Sequence, residues 1–315
     1  MRKAIAEQDK KISELQKQVA NVKTQQEKEK ITQEFTEEDK IFLANQKIEE
    51  GWKFYENEKF NYALTKFDEA IELNPNDYQG YYGRGTSNIE LKNYSQAISD
   101  YNQAIELNPN FYLAYNNRGG VYGELKNYSQ AISDFNKVIE LNPNSAFAYY
   151  NRGNICYELR NYSQAISDYN RAVKLNPNYF EAYVNRGNSY SELNDYSQAI
   201  SDYTRAINLN QNDEIAYYCR GIAYSELKNY SQAISDYTQA VKLNLNYFDA
   251  YVNRGIIYAL LKNYNKAIYD CTQAIKINPN DSKAYYLRGL CYKEVRNNSK
   301  AEKDFAKARE LGYNP

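Results

Sequence analysis

The sequence contains no histidine, one methionine and one tryptophan. Without an imidazole, no Ser-His-Asp or Cys-His nucleophile system can be assembled, nor any zinc site that needs a histidine ligand. A general base near neutral pH would have to be a perturbed carboxylate, lysine or cysteine. An excess of either charge is missing as well. Lys and Arg number 39 against 40 Asp and Glu, a net charge of -1, which removes any global electrostatic case for a nucleic-acid or membrane partner. Cysteine is scarce: Cys156, Cys219, Cys271 and Cys291 show no CxxC spacing and are too few for a disulfide scaffold, so a reducing, cytoplasmic compartment is expected. No run approaches the 18 or so apolar residues of a membrane helix. The opening MRKAIAEQDKKISELQKQ lacks an apolar h-region, so no signal peptide is expected. These absences lean away from an enzyme, and neither a metal nor a cofactor is expected.

What the chain has is length, tyrosine and a period. Its 315 residues, 43% hydrophobic, suffice for a core, as one large domain or two to three smaller ones. Pro75, Pro109, Pro143 and Pro177 stand 34 residues apart; the next two steps land on Gln211 and Leu245, and the one after on Pro279. NYSQAISDY recurs at 93–101, 161–169 and 229–237, with one-residue variants at 127–135 and 195–203. With the proline placed at position 32, repeats start near 44, 78, 112, 146, 180, 214, 248 and 282. Position 8 is then glycine throughout, from Gly51 to Gly289, and position 20 alanine, from Ala63 to Ala301. Positions 4, 8 and 11 share one face at helical spacing, as do 17, 20, 21, 24, 27 and 28. Small residues at 8 and 20 let two helices approach closely, and the proline ends the second helix. The asparagine at position 16 with a glutamine three residues on reads as a capping box, for example Asn93 with Gln96 and Asn127 with Gln130. One such hairpin cannot bury its apolar face alone, so neighbours must stack. A longer period of 68 residues overlies this one. Position 5 is Tyr82, Tyr150, Tyr218 and Tyr286 in the even repeats but Asn116, Val184 and Val252 in repeats 3, 5 and 7.

The pattern of an aromatic at 4, glycine at 8, tyrosine at 11, alanine at 20, aromatic at 24, alanine at 27 and proline at 32 resembles the tetratricopeptide repeat over about 44–315. The resemblance implies an all-α fold: a right-handed superhelical solenoid of antiparallel helix hairpins, with the first helix of each repeat lining a concave face. The departures are few. Position 7, usually leucine in that family, is arginine in repeats 2 to 8; position 11 is Asn88 and Cys156 in repeats 2 and 4, position 24 is Cys271 in repeat 7, and Lys47 replaces the aromatic of repeat 1.

Residues 1–35 are polar and free of the repeat, and 36–315 carry the eight repeats. Ile5, Ile12 and Val19, with Leu15 and Val22 in the complementary phase, form about two heptads. They read either as a long, mostly solvated helix or as a short coiled coil that would make a homo-oligomer. Thr36 before Glu37, Glu38 and Asp39 marks a fresh helix start.

The arginine at position 7 faces an aspartate at position 23 in repeats 2 to 8, and repeat 1 reverses the signs with Glu50 and Lys66. That swap predicts seven structural Arg–Asp pairs, Arg186–Asp202 among them, rather than an arginine ladder for anionic ligands. Asparagines at positions 6 and 9 (Asn117, Asn151, Asn154, Asn185, Asn188 and Asn253) are the candidate binding residues. In the family that this chain resembles, positions 2, 5, 6, 9, 12 and 13 meet the ligand, and a row of amides can hold an extended peptide backbone without reading its sequence. The superhelical domain of O-GlcNAc transferases is similar in this respect. Alternatively, these amides are simply solvated. Tyr82, Tyr150, Tyr218 and Tyr286 on the same face suit apolar or aromatic anchors of such a peptide. Glutamates at position 13, from Glu56 to Glu294, favour neutral or basic partners, unless they are only a charged rim.

A clamp for acidic chaperone tails needs lysine at 5 and arginine at 6, and both are absent here. The acidic row also opposes an RNA-reading groove. The expected function is a non-catalytic scaffold for an extended peptide or partner protein, with a self-assembling structural protein as the alternative and a non-catalytic part of a multidomain enzyme behind it.

Overall fold

In the computed structural model the described residues are 36–313, together with Lys10, Ser13, Glu14 and Lys17. The heptad stretch lies almost entirely outside them. Sixteen helices follow one another among the residues from 36 onward: α1 Glu37–Glu56, α2 Phe60–Leu73, α3 Tyr78–Glu90, α4 Tyr94–Leu107, α5 Tyr112–Glu124, α6 Tyr128–Leu141, α7 Ala146–Glu158, α8 Tyr162–Leu175, α9 Phe180–Glu192, α10 Tyr196–Leu209, α11 Glu214–Glu226, α12 Tyr230–Leu243, α13 Phe248–Leu260, α14 Tyr264–Ile277, α15 Ser282–Glu294 and α16 Asn298–Glu310. There is no strand among the described residues. The odd-numbered helix of each pair is helix A of a repeat and the even-numbered one helix B. The described residues form two compact units that divide between Ala148 and Tyr149.

In the first unit α1 packs on α2, α3 on α4 and α5 on α6, and α2 and α4 also pack on the A helix that follows each. The second unit repeats the scheme through α9–α10, α11–α12, α13–α14 and α15–α16. Successive A helices touch as well, α9 with α11 and α13 with α15. The core follows from the repeat positions. Alanines at position 20 are fully buried, and so are the position-24 rings of Phe67, Tyr101, Phe135, Tyr169, Tyr203 and Tyr237. Glycine at position 8 is dictated by that ring. A Cβ on Gly187 would sit 2.7 Å from Cε1 of Tyr203, and one on Gly153 at 2.7 Å from Cε1 of Tyr169, closer than packed atoms tolerate.

Helix starts depart from expectation. Thr36 does close a capping box with Asp39. The expected boxes of Asn93 with Gln96 and Asn127 with Gln130 do not form, because neither asparagine side chain caps its helix. The side-chain cap does form at Asn161, Asp195 and Asn297, but the reciprocal half of the box is blocked by the hairpin turn. The backbone N–H of Asn93 is already bonded to the Asn88 carbonyl at 2.8 Å, and that of Asn127 to the Tyr122 carbonyl at 2.8 Å. No donor is left for the glutamine to accept from. Gln96 turns to the buried Asp100 carboxylate instead, donating at 3.2 Å, a charge-assisted bond. The turn itself passes through a left-handed residue, Lys92 at φ 60 and Lys228 at φ 58 among them.

Helix ends are set by more than proline. α10 and α12, followed by Gln211 and Leu245, stop at the same repeat position as their Pro-bearing counterparts. Asparagine at position 31 is common to all these ends. Its Oδ1 accepts from the backbone N–H two residues on: Asn110 to Asn108, Asn212 to Asn210, and Asn246 to Asn244 at 3.0 Å. This local turn competes with the helix in the way short amide side chains do.

Candidate functional site

The candidate residues stand at positions 5, 6 and 9 of the A helices. What lies beneath is a lattice of ion pairs. All seven expected Arg–Asp pairs form, each through two guanidinium nitrogens, as in Arg220 Nε to Asp236 Oδ2 at 2.8 Å and Nη2 to Oδ1 at 2.8 Å. The remaining Nη1 reaches back to the preceding B helix, where it meets Asp68, Asn102, Asn170, Thr204, Thr238 or Thr272. The guanidinium also lies over the position-4 tyrosine, as Arg186 over Tyr183 at 5.3 Å. One side chain thus ties helix A to helix B and repeat to repeat. In repeat 1, Lys47, Glu50, Lys66 and Glu69 form a four-charge cluster in its place.

The position-6 asparagines of the odd repeats are not free. Asn117 donates to the Tyr82 hydroxyl at 3.3 Å, Asn253 to that of Tyr218 at 3.1 Å, and Asn185 to that of Tyr150 at 3.1 Å and to Asn154 Oδ1 at 3.0 Å. Each bond joins an odd repeat to the even repeat before it. The position-9 amides are engaged within their own repeat. Asn154 Oδ1 accepts from the Tyr169 hydroxyl at 2.8 Å and Asn188 Oδ1 from that of Tyr203 at 2.8 Å. The side chain of Asn151 bonds no other described residue. Asn117 is engaged at both ends, its Oδ1 accepting from Asn116 at 3.3 Å, whereas in the other four one half of the amide is fixed: no described residue bonds the Nδ2 of Asn154 and Asn188 or the Oδ1 of Asn185 and Asn253.

The four tyrosines at position 5 are half-buried members of aromatic clusters. Tyr150 lies 4.8 Å from Tyr179 and 6.0 Å from Tyr169, Tyr218 is 4.9 Å from Tyr247 and 5.8 Å from Tyr237, and Tyr82 is 4.9 Å from Phe111. Tyr286 stacks on Tyr313 at 4.4 Å. Burial, with Asp249 nearby, pushes the Tyr218 phenol up to about 12, so it is a neutral donor and acceptor at physiological pH.

These clusters explain the 68-residue period. Phe111, Tyr179 and Tyr247 lead into odd-repeat A helices and pack on the tyrosine of the even repeat before. Asp77, Ser145, Asp213 and Asp281 lead into even-repeat A helices and cap them, accepting from Gln79, Ala148, Ala216 and Ala284. The two kinds of junction alternate. A second coupling runs between positions 9 and 24. In repeats 2, 4 and 5, Thr86, Asn154 and Asn188 meet the hydroxyls of Tyr101, Tyr169 and Tyr203, whereas repeat 6 sets Ile222 opposite Tyr237. Where position 24 bears Cys271 or Phe305, position 9 is Ile256 or Leu290. The alternation of junctions has a signature in the sequence, visible only when positions are compared between repeats.

Burial pushes the Cys219 and Cys291 thiols up to about 11, away from thiolate reactivity. Among the described residues no three metal-binding side chains converge, and no helix is long and apolar enough to cross a membrane.

Comparison with known proteins adds the following. Residues 78–111, 112–145, 146–179, 215–247 and 248–281 match a profile described as tetratricopeptide repeat. Residues 168–201 and 271–303 match a second profile of that description, and 187–228 one described as TPR repeat. A stretch of 43 residues is 44% identical to the Hsp70-Hsp90 organising protein of Plasmodium falciparum (isolate 3D7), covering 14% of this chain and 8% of that protein. The chain therefore aligns with under a tenth of the length of that curated relative. Among solved structures, YrrB, described as a TPR protein with an unusual peptide-binding site, is 25% identical over 58% of this chain and 95% of its own, with a TM-score of 0.53. The C-terminal part of a TPR repeat-containing protein from Cytophaga hutchinsonii shares the fold at 17% identity, covering 75% of this chain and 97% of its own with a TM-score of 0.65.

Proposed function

The chain belongs to the tetratricopeptide repeat family, whose arrays are protein-interaction scaffolds, and we propose that it holds an extended peptide or partner protein against its helix A face. The observation that carries this reading is the set of half-engaged amides. Asn154, Asn185, Asn188 and Asn253 each have one end of the amide fixed by a neighbouring side chain, which leaves an oriented donor or acceptor for a backbone carbonyl or N–H. A prefixed side chain loses less rotamer entropy on binding than a free one. The exposed glutamates at position 13, Glu158, Glu192 and Glu226 among them, favour neutral or basic segments over acidic ones. The role is non-catalytic. Four unpaired cysteines support a cytoplasmic site of action. Self-association through residues 1–35 is a separate proposal that rests on the heptad spacing alone.

Photo-crosslinking tests the face. A benzophenone side chain is placed at Glu158 or Glu192 on the A face, or at the exposed Gln239 on a B helix, and the full chain is irradiated with a random dodecapeptide pool. Peptide adducts are expected from positions 158 and 192 and not from 239. Adducts from 239 alone, or equal yields from all three, would overturn the reading.

A further inference from the structure

Repeats 5 and 7 share a framework, so their differences are informative. Their A helices, α9 and α13, read FEAYVNRGNSYSE and FDAYVNRGIIYAL. Beyond the Glu181/Asp249 exchange they differ at four positions, and all four run from polar to apolar: Asn188/Ile256, Ser189/Ile257, Ser191/Ala259 and Glu192/Leu260. Ile257 is explained by packing, since it is buried as Ser189 is. Ile256 and Leu260 are not, because they stand 41% and 61% exposed. Asn188 accepts from the Tyr203 hydroxyl and Cys271 offers no such partner, yet Cys271 does not call for an exposed isoleucine. Leu260 is also the single break in the glutamates of position 13, which resume at Glu294 and precede it at Glu226. The next repeat carries a further exposed apolar side chain at position 9, Leu290 at 39%. Leaving such side chains in water stabilises nothing in the fold.

We infer that Ile256, Leu260 and Leu290 form the specificity pocket of the second unit, and that its occupant is a peptide segment with a bulky aliphatic or aromatic residue next to basic ones. This rests on the A-face reading above. The apolar anchor follows from the three exposed side chains, Ile256 and Leu260 one helical turn apart on α13 and Leu290 at the first of those positions on α15. The basic neighbours follow from charge complementarity with the exposed Glu226 and Glu294, which bracket Leu260 in the row. Lys262 and Lys293 lie in adjoining sequence, so the charge preference is smaller than the apolar one.

The test uses the full chain and fluorescein-labelled dodecapeptides of three kinds: lysines around a central leucine, lysines around a central glycine, and glutamates around a central leucine. The variant I256N/L260E restores the side chains that repeat 5 already carries and is checked by its circular dichroism melt. Anisotropy titrations are expected to show the lysine–leucine peptide binding wild type about 10- to 100-fold tighter than the glycine form, the gain from burying one such side chain. The glutamate form should bind about threefold to tenfold more weakly. I256N/L260E should lose the leucine preference while melting like wild type. If peptides bind and crosslink to the A face without this preference, or I256N/L260E retains it, the pocket is refuted while the A-face reading stands. If no peptide of any kind crosslinks to positions 158 and 192, the A-face reading itself has failed. A wild-type dimer that L260E splits would make a second copy the occupant, and would refute the peptide assignment.

Discussion

Gly221→Ala is expected to destabilise the protein by about 2–3 kcal/mol, whereas Gly255→Ala at the same repeat position is expected to be neutral or to stabilise by up to about 1 kcal/mol. The difference lies across the hairpin. A Cβ on Gly221 would meet Cε1 and Cδ1 of Tyr237 at 2.7 and 2.9 Å. That ring is buried and packed between Tyr218 and its own helix, so it cannot give way. A Cβ on Gly255 would find Asp270 Cβ at 3.4 Å and Cys271 Sγ at 3.6 Å, which is ordinary contact. There the methyl brings only the better helix propensity of alanine. Urea melts of the two full-length variants, followed by circular dichroism, decide the matter. Equal shifts would show that something other than the position-24 ring requires the glycine.

Asp202→Asn is expected to cost about 3–5 kcal/mol, the range for breaking a buried pair by removing one partner. The carboxylate is almost fully buried. It accepts from Arg186 Nε at 2.7 Å and from Nη2 beside it, while Nη1 of the same arginine holds Asn170 in the preceding repeat at 2.6 Å. The neutral amide leaves the guanidinium half-buried without its counter-charge and turns an NH2 towards it. Arg186→Met alone strands the carboxylate, which burial already pushes towards its protonated form despite the arginine. The R186M/D202N double variant should therefore lose clearly less than the two single losses added together. Additive losses would mean that the pair is not energetically coupled.

These pairs were legible in the sequence because repeat 1 swaps the signs at positions 7 and 23, and a swap within one chain signals contact. The hairpin pattern was legible for a similar reason, since the glycine of position 8, the alanine of position 20 and the ring of position 24 recur at one spacing. What a single repeat cannot display is a contact to the next one. Asn185 on Tyr150 and Tyr179 against Tyr150 join residues about 30 to 35 positions apart, so the candidate amides look free when the repeat is read alone. Tyr82, Tyr150, Tyr218 and Tyr286 likewise read as exposed anchors until Phe111, Tyr179, Tyr247 and Tyr313 are seen packed against them. The capping boxes at Asn93 and Asn127 failed for a local reason. Sequence pairs the right side chains, but only the turn geometry reveals that the backbone N–H has been taken from within. The steady asparagine at position 31 was in view throughout and was overshadowed by the proline beside it.

Hydrogen exchange of the full chain, with and without a saturating peptide selected for binding, tests the central claim most directly. An interface on the A helices predicts slower exchange along 180–192, 214–226, 248–260 and 282–294 in the presence of the peptide, with the B helices between them unchanged. Protection confined to the B helices or to residues 1–35 would contradict it.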